Sequence, residues 1–205
     1  MIQQGKCFVL ALVVALPMIF TGCAAVEVQR VDASKEIALT DRWNAKDSEL
    51  VATAMIEDML SFPWIAKHNT RYQQRPTVVI QRVGNESHEE IEVATFINDL
   101  KRSLIRSGEV DFVALTQERR RVRKERAENE VHRRAGTGAA SGQETGANYA
   151  LSGVINSFVD SAGGKRVTSY QIDLKLIDME TNLEVWNGQK KIQKLQKKNK
   201  FLGIF

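Results

Sequence analysis

The sequence predicts an α/β fold, a single small domain whose mixed β-sheet of about four to five strands is flanked by helices. Three observations carry this expectation. Between Ser48 and Leu115, helix-period runs and β-branched runs alternate twice. After Asn148, three strand-like runs follow one another through tight turns, the pattern of an antiparallel meander. The chain has 205 residues, 43% of them hydrophobic, and only two cysteines, Cys7 and Cys23, so the core stands on packing without disulfides.

The N-terminus is set apart from that domain. Lys6 is the only charge before an apolar run from Cys7 to Phe20. About fourteen residues at 1.5 Å each cannot cross roughly 30 Å of hydrocarbon, but they suit the h-region of a signal peptide. Phe20-Thr21-Gly22-Cys23 then sets two small residues before a cysteine. This resembles the bacterial lipobox, in which the cysteine is acylated and becomes the first residue of the mature chain; Phe20 stands where leucine is usual. Residues 1–22 are therefore expected to leave as a lipoprotein signal peptide, the alternatives being a plain cleaved signal or a short buried helix. Cys23 then carries the lipid, and no thiol is left for a nucleophile or a zinc site. Ala24 follows the cysteine, and by the same resemblance the absence of aspartate there points to the outer membrane, facing the periplasm. Loss of residues 1–22 removes Lys6 and no acid, so the formal net charge of +4 falls by one. So mild a balance implies no nucleic-acid partner.

Residues 24–39 have neither helical nor strand period and read as a tether. Fully extended it reaches roughly 60 Å, and as a coil nearer 20–25 Å. The globular domain is expected over residues 40–195. Its first helix is capped by Asp47 or Ser48, buries Val51, Met55 and Met59 with Ala52, Ile56 and Leu60, and stops at Pro63. Trp43 and Trp64 bracket it and are expected in the core. Thr77–Val83 is apolar on both faces, as in a buried strand, and turns at Gly84-Asn85. Ser87 and Glu90 are spaced as a capping box for a second helix along Val93, Ile97, Leu100 and Leu104, which Gly108 ends. Val110–Leu115 is the next strand.

A third helix, from about Gln117 to Ala135 behind a Thr116 cap, is almost wholly polar. Such a helix leans on pairs like Arg121 with Glu125 and Arg126 with Glu130, each worth a few tenths of a kcal/mol. It reads as a solvated face, or as a binding surface for an acidic partner or anionic headgroups; in the second case Arg119, Arg123 and Arg126 share one helical face. The stretch from Gly136 to Gly146 is rich in Gly, Ala and Ser, and reads as a mobile connection. The meander follows: Tyr149–Ile155, a turn at Ala162-Gly163-Gly164, alternating Tyr170–Leu176, a turn ending at Asn182, and Leu183–Ile192 through Trp186. From Lys190 the chain is basic and then apolar, and residues 196–205 are expected as a loose C-terminal tail.

No catalytic or metal constellation emerges. His68, His88 and His132 have no ligand spacing and are expected at the surface; no Gly-x-Ser-x-Gly elbow occurs, and paired acids such as Glu89-Glu90 are explained by helix starts. No catalytic residue, metal, cofactor, small-molecule substrate or enzymatic activity is expected.

Several segments together resemble the LpoB-type lipoproteins, activators of penicillin-binding peptidoglycan synthases. They are Thr40-Asp41-Arg42-Trp43-Asn44 with Asp47, Arg75-Pro76 and its strand, Asn85-Glu86-Ser87, Ser107-Gly108 and Gly146–Gly153. Tyr170-Gln171, Leu174, Leu176, Asp178 and Glu184-Val185-Trp186 complete the set. The resemblance implies a domain like the N-terminal domain of TolB. It also implies a function without catalysis, in which a lipoprotein reaches from the outer membrane to a docking domain of a bifunctional penicillin-binding protein and stimulates cell-wall synthesis. The alternative is a structural or secretion-assembly lipoprotein of the outer membrane with no synthase partner, which the short tether suits.

Overall fold

Local hydrogen bonding decides where each element begins. The computed structural model describes residues 40–132 and 144–197. The first helix, α1 (Ala45–Ser61), starts at Asn44, whose side-chain oxygen accepts from the N–H groups of Lys46 at 2.9 Å and Asp47 at 3.0 Å. Asp47 returns the bond by accepting the Asn44 N–H at 2.8 Å, closing a capping box. The expected caps Asp47 and Ser48 thus lie inside the first turn, and the buried Ser48 hydroxyl accepts from the Trp43 indole at 2.8 Å. After α1 ends, Pro63 opens a helix the sequence reading lacks, α2 (Trp64–Tyr72). Proline's fixed φ suits a helix start, and Trp64, Ile65 and His68 bury one face.

The β1 strand (Thr77–Asn85) leads to α3 (Val93–Ser107), which is capped by Glu92 through the Ala94 N–H at 3.2 Å and not by the expected Ser87 and Glu90. Ser87 instead turns back on Asn85, its N–H 3.0 Å from Oδ1. Gly108, at φ 71°, ends α3 as expected. Of the expected strand Val110–Leu115 only Asp111–Phe112 pairs, as β2. Next comes α4 (Thr116–His132), and the rest of the expected helix and connection up to residue 143 lies outside the described residues. The meander consists of β3 (Tyr149–Ala162), β4 (Lys165–Asp178) and β5 (Glu184–Lys197), 14 residues each. The expected turns carry positive φ angles at Gly163, Gly164 and Asn182. Continuous pairing with β4 carries β5 from Lys190 to Lys197, so the basic run expected as the start of the tail is strand; residues 198–205 lie outside the described residues.

The sheet order is β2-β1-β3-β4-β5, with β1 parallel to both β2 and β3 and the meander antiparallel, a mixed five-stranded sheet as predicted. The period of two then sorts the side chains. Leu151 and Ile155 of β3 with Tyr170, Ile172, Leu174 and Leu176 of β4 point to α1 and α3, where they meet Val51, Met55, Met59, Phe96 and Leu100. Their neighbours, among them Ser152, Asn156, Gln171 and Asp173, line the opposite, polar face.

Trp186 locks β5 to α1. Its indole N–H donates to the Asp58 carboxylate at 2.9 Å, and its ring lies over Gly188, where an added Cβ would stand 2.1 Å from a ring carbon. Gly188→Ala is therefore expected to displace the ring and destabilise the fold by about 2 kcal/mol, read as a lower denaturation midpoint at an unchanged slope.

Candidate functional site

No residue of α4 is buried, so packing cannot fix this helix. Ion pairs do. Glu118 accepts from Lys101 at 3.0 Å and from the Leu115 N–H at 3.0 Å, which hold its carboxyl below the usual range and fasten the first turn, with Thr116 inside the helix and not its cap. Farther along, Arg123 forks onto Glu144, Nε to Oε1 at 3.0 Å and Nη2 to Oε2 at 2.8 Å, and Arg126 adds an Nη1 contact at 3.4 Å. The hydrogen bond from Arg123 depresses the Glu144 carboxyl, with the positive fields of Arg126 and Arg119 acting the same way.

Arg119, Arg123 and Arg126 thus occupy one face as expected, and that face converges on a single carboxylate of the chain itself. Arg126 turns to Glu144, while Glu125, expected to pair with Arg121, accepts from the Asn129 amide at 3.2 Å. Arg119 donates to Thr116 Oγ1 at 3.3 Å and borders an apolar cavity of about 590 Å³ floored by Val79, Leu115 and Ala147. Sequence reasoning missed Glu144, although it is the one acid between Glu130 and Asp160.

A second cluster fixes where the chain enters the domain. Asp41 accepts from the Thr168 hydroxyl at 2.7 Å, the main cause of its lowered pKa, and pairs with Arg166 at 3.1 Å. Glu89 accepts from the Tyr170 hydroxyl at 2.8 Å and the Trp43 N–H at 3.2 Å. Trp43 meets Tyr170 and Phe96 edge-on, at 5.4 and 6.1 Å between ring centroids. The Lys194 ammonium pairs with Asp47 and donates to the Arg42 carbonyl at 2.7 Å.

The histidines divide. His88 is half exposed and bonds Ser157, and His132 is exposed on α4. Contrary to expectation, His68 is 2% exposed, packed against Tyr72 and Tyr149 on the buried face of α2. Its Nδ1 lies 3.1 Å from the Tyr149 hydroxyl and its Nε2 has no partner. Burial lowers the imidazole pKa against a weaker opposing pull from Asp178, and burial also pushes the Tyr149 phenol up to about 12.

Among the described residues no cluster of His, Cys, Asp and Glu could hold a metal, and no helix is long and apolar enough to cross a membrane. Fold and surface together describe a small α/β domain with a surface rich in ion pairs and hydrogen bonds. A family model described as "Peptidoglycan-synthase activator LpoB" matches residues 47–192, and the chain belongs to that family. Among solved structures it is similar to the LpoB C-terminal domain from Salmonella enterica, at 13% identity and a TM-score of 0.37, over 64% of this chain and 94% of that one. It is also similar to lipoprotein GNA1162 from Neisseria meningitidis, at 14% identity and a TM-score of 0.37, over 62% and 89% of the two chains. The PelC dodecamer from Paraburkholderia phytofirmans gives 17% identity and a TM-score of 0.31, over 58% and 73%. No curated protein matches the sequence.

Two outcomes follow from these clusters. Because the folded pKa of His68 lies below its ordinary value near 6.5, the unfolded chain takes up the proton first. Its stabilising share is complete above about pH 6.5 and is lost as pH falls below that value toward the folded one; denaturation between pH 8 and 5 should show this fall, and His68→Leu should flatten it. Glu144→Ala should leave the global denaturation midpoint almost unchanged, since the pair is at the surface, while amide exchange in α4 accelerates several-fold.

Proposed function

We propose that this chain is an outer-membrane lipoprotein, anchored through an acylated Cys23, that binds and activates a bifunctional penicillin-binding peptidoglycan synthase in the periplasm. The observation that carries this reading is the family match, which runs from α1 into β5 and so takes in four strands, most of the fifth and both core helices. The lipobox-like Phe20–Cys23 supplies the anchor, and the domain supplies binding without chemistry of its own. Activation of this kind is a coupling free energy. A ligand that prefers the active conformation of the synthase shifts its population by no more than the difference in affinity for the two states. Arg119, Arg123 and Arg126 are the residues proposed to meet an acidic patch of the partner, in exchange for Glu144.

The tether favours a second reading. Residues 24–39 span roughly 60 Å at most when extended, a length suited to work close to the anchoring membrane, as in a secretion or structural assembly. The two readings separate in one experiment, with the full lipidated chain as bait for detergent-solubilised membranes of the same organism. A bifunctional penicillin-binding protein should be retained and should polymerise glycan faster when the chain is added, and Cys23→Ser should move the chain from the membrane to the soluble fraction. Retention of outer-membrane proteins alone would support the assembly reading and overturn the first.

A further inference from the structure

The face of the sheet turned away from α1 and α3 carries an ordered array of amides. On β4, Asp173 accepts from Gln171 Nε2 at 2.8 Å through one carboxylate oxygen and from Gln189 Nε2 of β5 at 2.9 Å through the other. Beside this pair the register sets Asn156 opposite Gln171 and Gln189 opposite Asp173. Asn187 donates to Glu184 at 2.8 Å. The amides of Gln171, Gln189 and Asn187 therefore each hold a defined orientation through one N–H, with the second N–H and the carbonyl directed to a ligand, and Asn156 stands beside them. At one end the same face is hollowed into an open cavity of about 380 Å³ bordered by Arg82, Ser152, Asp173, Lys175 and Asn187. At the other end stands Phe158, 64% exposed. The strand rise sets Phe158 roughly 13 Å along β3 from Val154 at the cavity.

We infer that this face binds an extended strand of N-acetylated sugars, lying from the cavity across the amide row to Phe158. The chemistry selects the occupant. Hydroxyl and acetamido groups donate and accept at once, as the side chains of Gln171, Asn156 and Asn187 do, and the C–H face of a sugar ring packs on an exposed aromatic ring. A protein partner asks for a desolvated apolar or aromatic centre, whereas here the centre is polar and the aromatic stands at the end. A nucleic acid asks for a dominant positive charge, and here Arg82, Lys175 and Lys191 are offset by the carboxylates of Asp173 and Glu184. The choice of the peptidoglycan glycan as the polymer rests on the synthase reading; the site itself rests on the amide row, the cavity and Phe158. On this inference the domain holds the product strand as well as the enzyme that makes it.

The test is co-sedimentation of the full chain in detergent with purified sacculi, both intact and stripped of stem peptides. The chain should pellet with both, and Phe158→Ala, Gln171→Ala and Asn187→Ala should each lower the bound fraction, by roughly five-fold or more when combined, with unchanged melting curves. No sedimentation, sedimentation with intact sacculi alone, or binding indifferent to the variants would overturn the inference. The same variants are carried through the synthase pull-down. Retention of the synthase by variants that have lost the sacculi is expected, and loss of both would make the face a protein surface. The sacculus assay needs no synthase, so the two readings fail separately.

Discussion

The structure depends on one largely covered carboxylate. Glu89 sits in the loop between β1 and α3 and accepts the Tyr170 hydroxyl from β4 and the Trp43 backbone N–H from the entering chain, so three segments distant in sequence meet on its two oxygens. The Tyr170 hydroxyl has a single proton, and the Asp41 carbonyl at 3.1 Å is its competing acceptor. Glu89 is nearer and charged, and takes it. A charge so far covered is costly unless it is hydrogen-bonded. Here each oxygen has a donor, and removal of the phenol would leave Oε1 without its hydrogen bond, beside the His88 ring at 3.6 Å. Burial is the chief cause that pushes the Tyr170 phenol well above its ordinary range, and the hydrogen bond to Glu89 adds to it, so the donor stays protonated and the junction keeps one state. With the entry point fixed, Asn44 is in place to cap α1, and α1 is aligned to lay Val51, Met55 and Met59 on the sheet.

Strand periodicity extends that constraint to both faces of the meander. Once Tyr170 points inward, Ile172, Leu174 and Leu176 must follow, and Gln171, Asp173 and Lys175 must face away. Gly153 shows how tight the inner layer is, because a Cβ there would lie 2.3 Å from both the Leu174 side chain and the Asp173 carbonyl. A slip of one residue would bury the Asp173 carboxylate in that layer, so the polar row and the apolar core specify the same register. The far ends of β3 to β5 obey different rules: Phe158–Ala162, Lys165, Arg166 and Leu195–Lys197 are exposed, and ladder pairing holds them.

Much of this was legible in the amino-acid order. The apolar stripe of α1, the β-branched Thr77–Val83, the alternation through Tyr170–Leu176 and the glycines and asparagine of the turns each carry a local signal strong enough to name the element. The mixed sheet and the family resemblance followed from them. The α2 helix was hidden because Pro63 signals a stop as strongly as a start, and its nine mostly polar residues make a short segment to recognise as a helix. His68 was misplaced for the same reason, since polar neighbours such as Asn69 and Thr70 mask a residue whose own side is the buried one. The candidate site was half legible. The shared face of Arg119, Arg123 and Arg126 follows from the helical period, but the carboxylate they enclose lies across a connection whose geometry no local rule supplies. The amide row escaped notice because its members come from three strands and meet only through pairing.

That division bears on what α4 is for. A helix of 17 residues without a buried side chain is marginal by itself, and surface pairs contribute between nothing and about 1 kcal/mol each. The Arg123–Glu144 fork is the best of them, two-point and partly shielded, with side-chain exposures of 60% and 27%. The free energy that orders α4 is therefore small and salt-sensitive, unlike that of α1 or α3. A partner carboxylate offered to the same guanidinium groups competes with a ligand the chain already carries, so net affinity at this face is the difference between two similar contacts and cannot be large. Such a surface selects a partner by register and charge more than it grips it. Tight association must come from elsewhere on the domain, or, on the proposed reading, from confinement beside the partner by a lipid anchor.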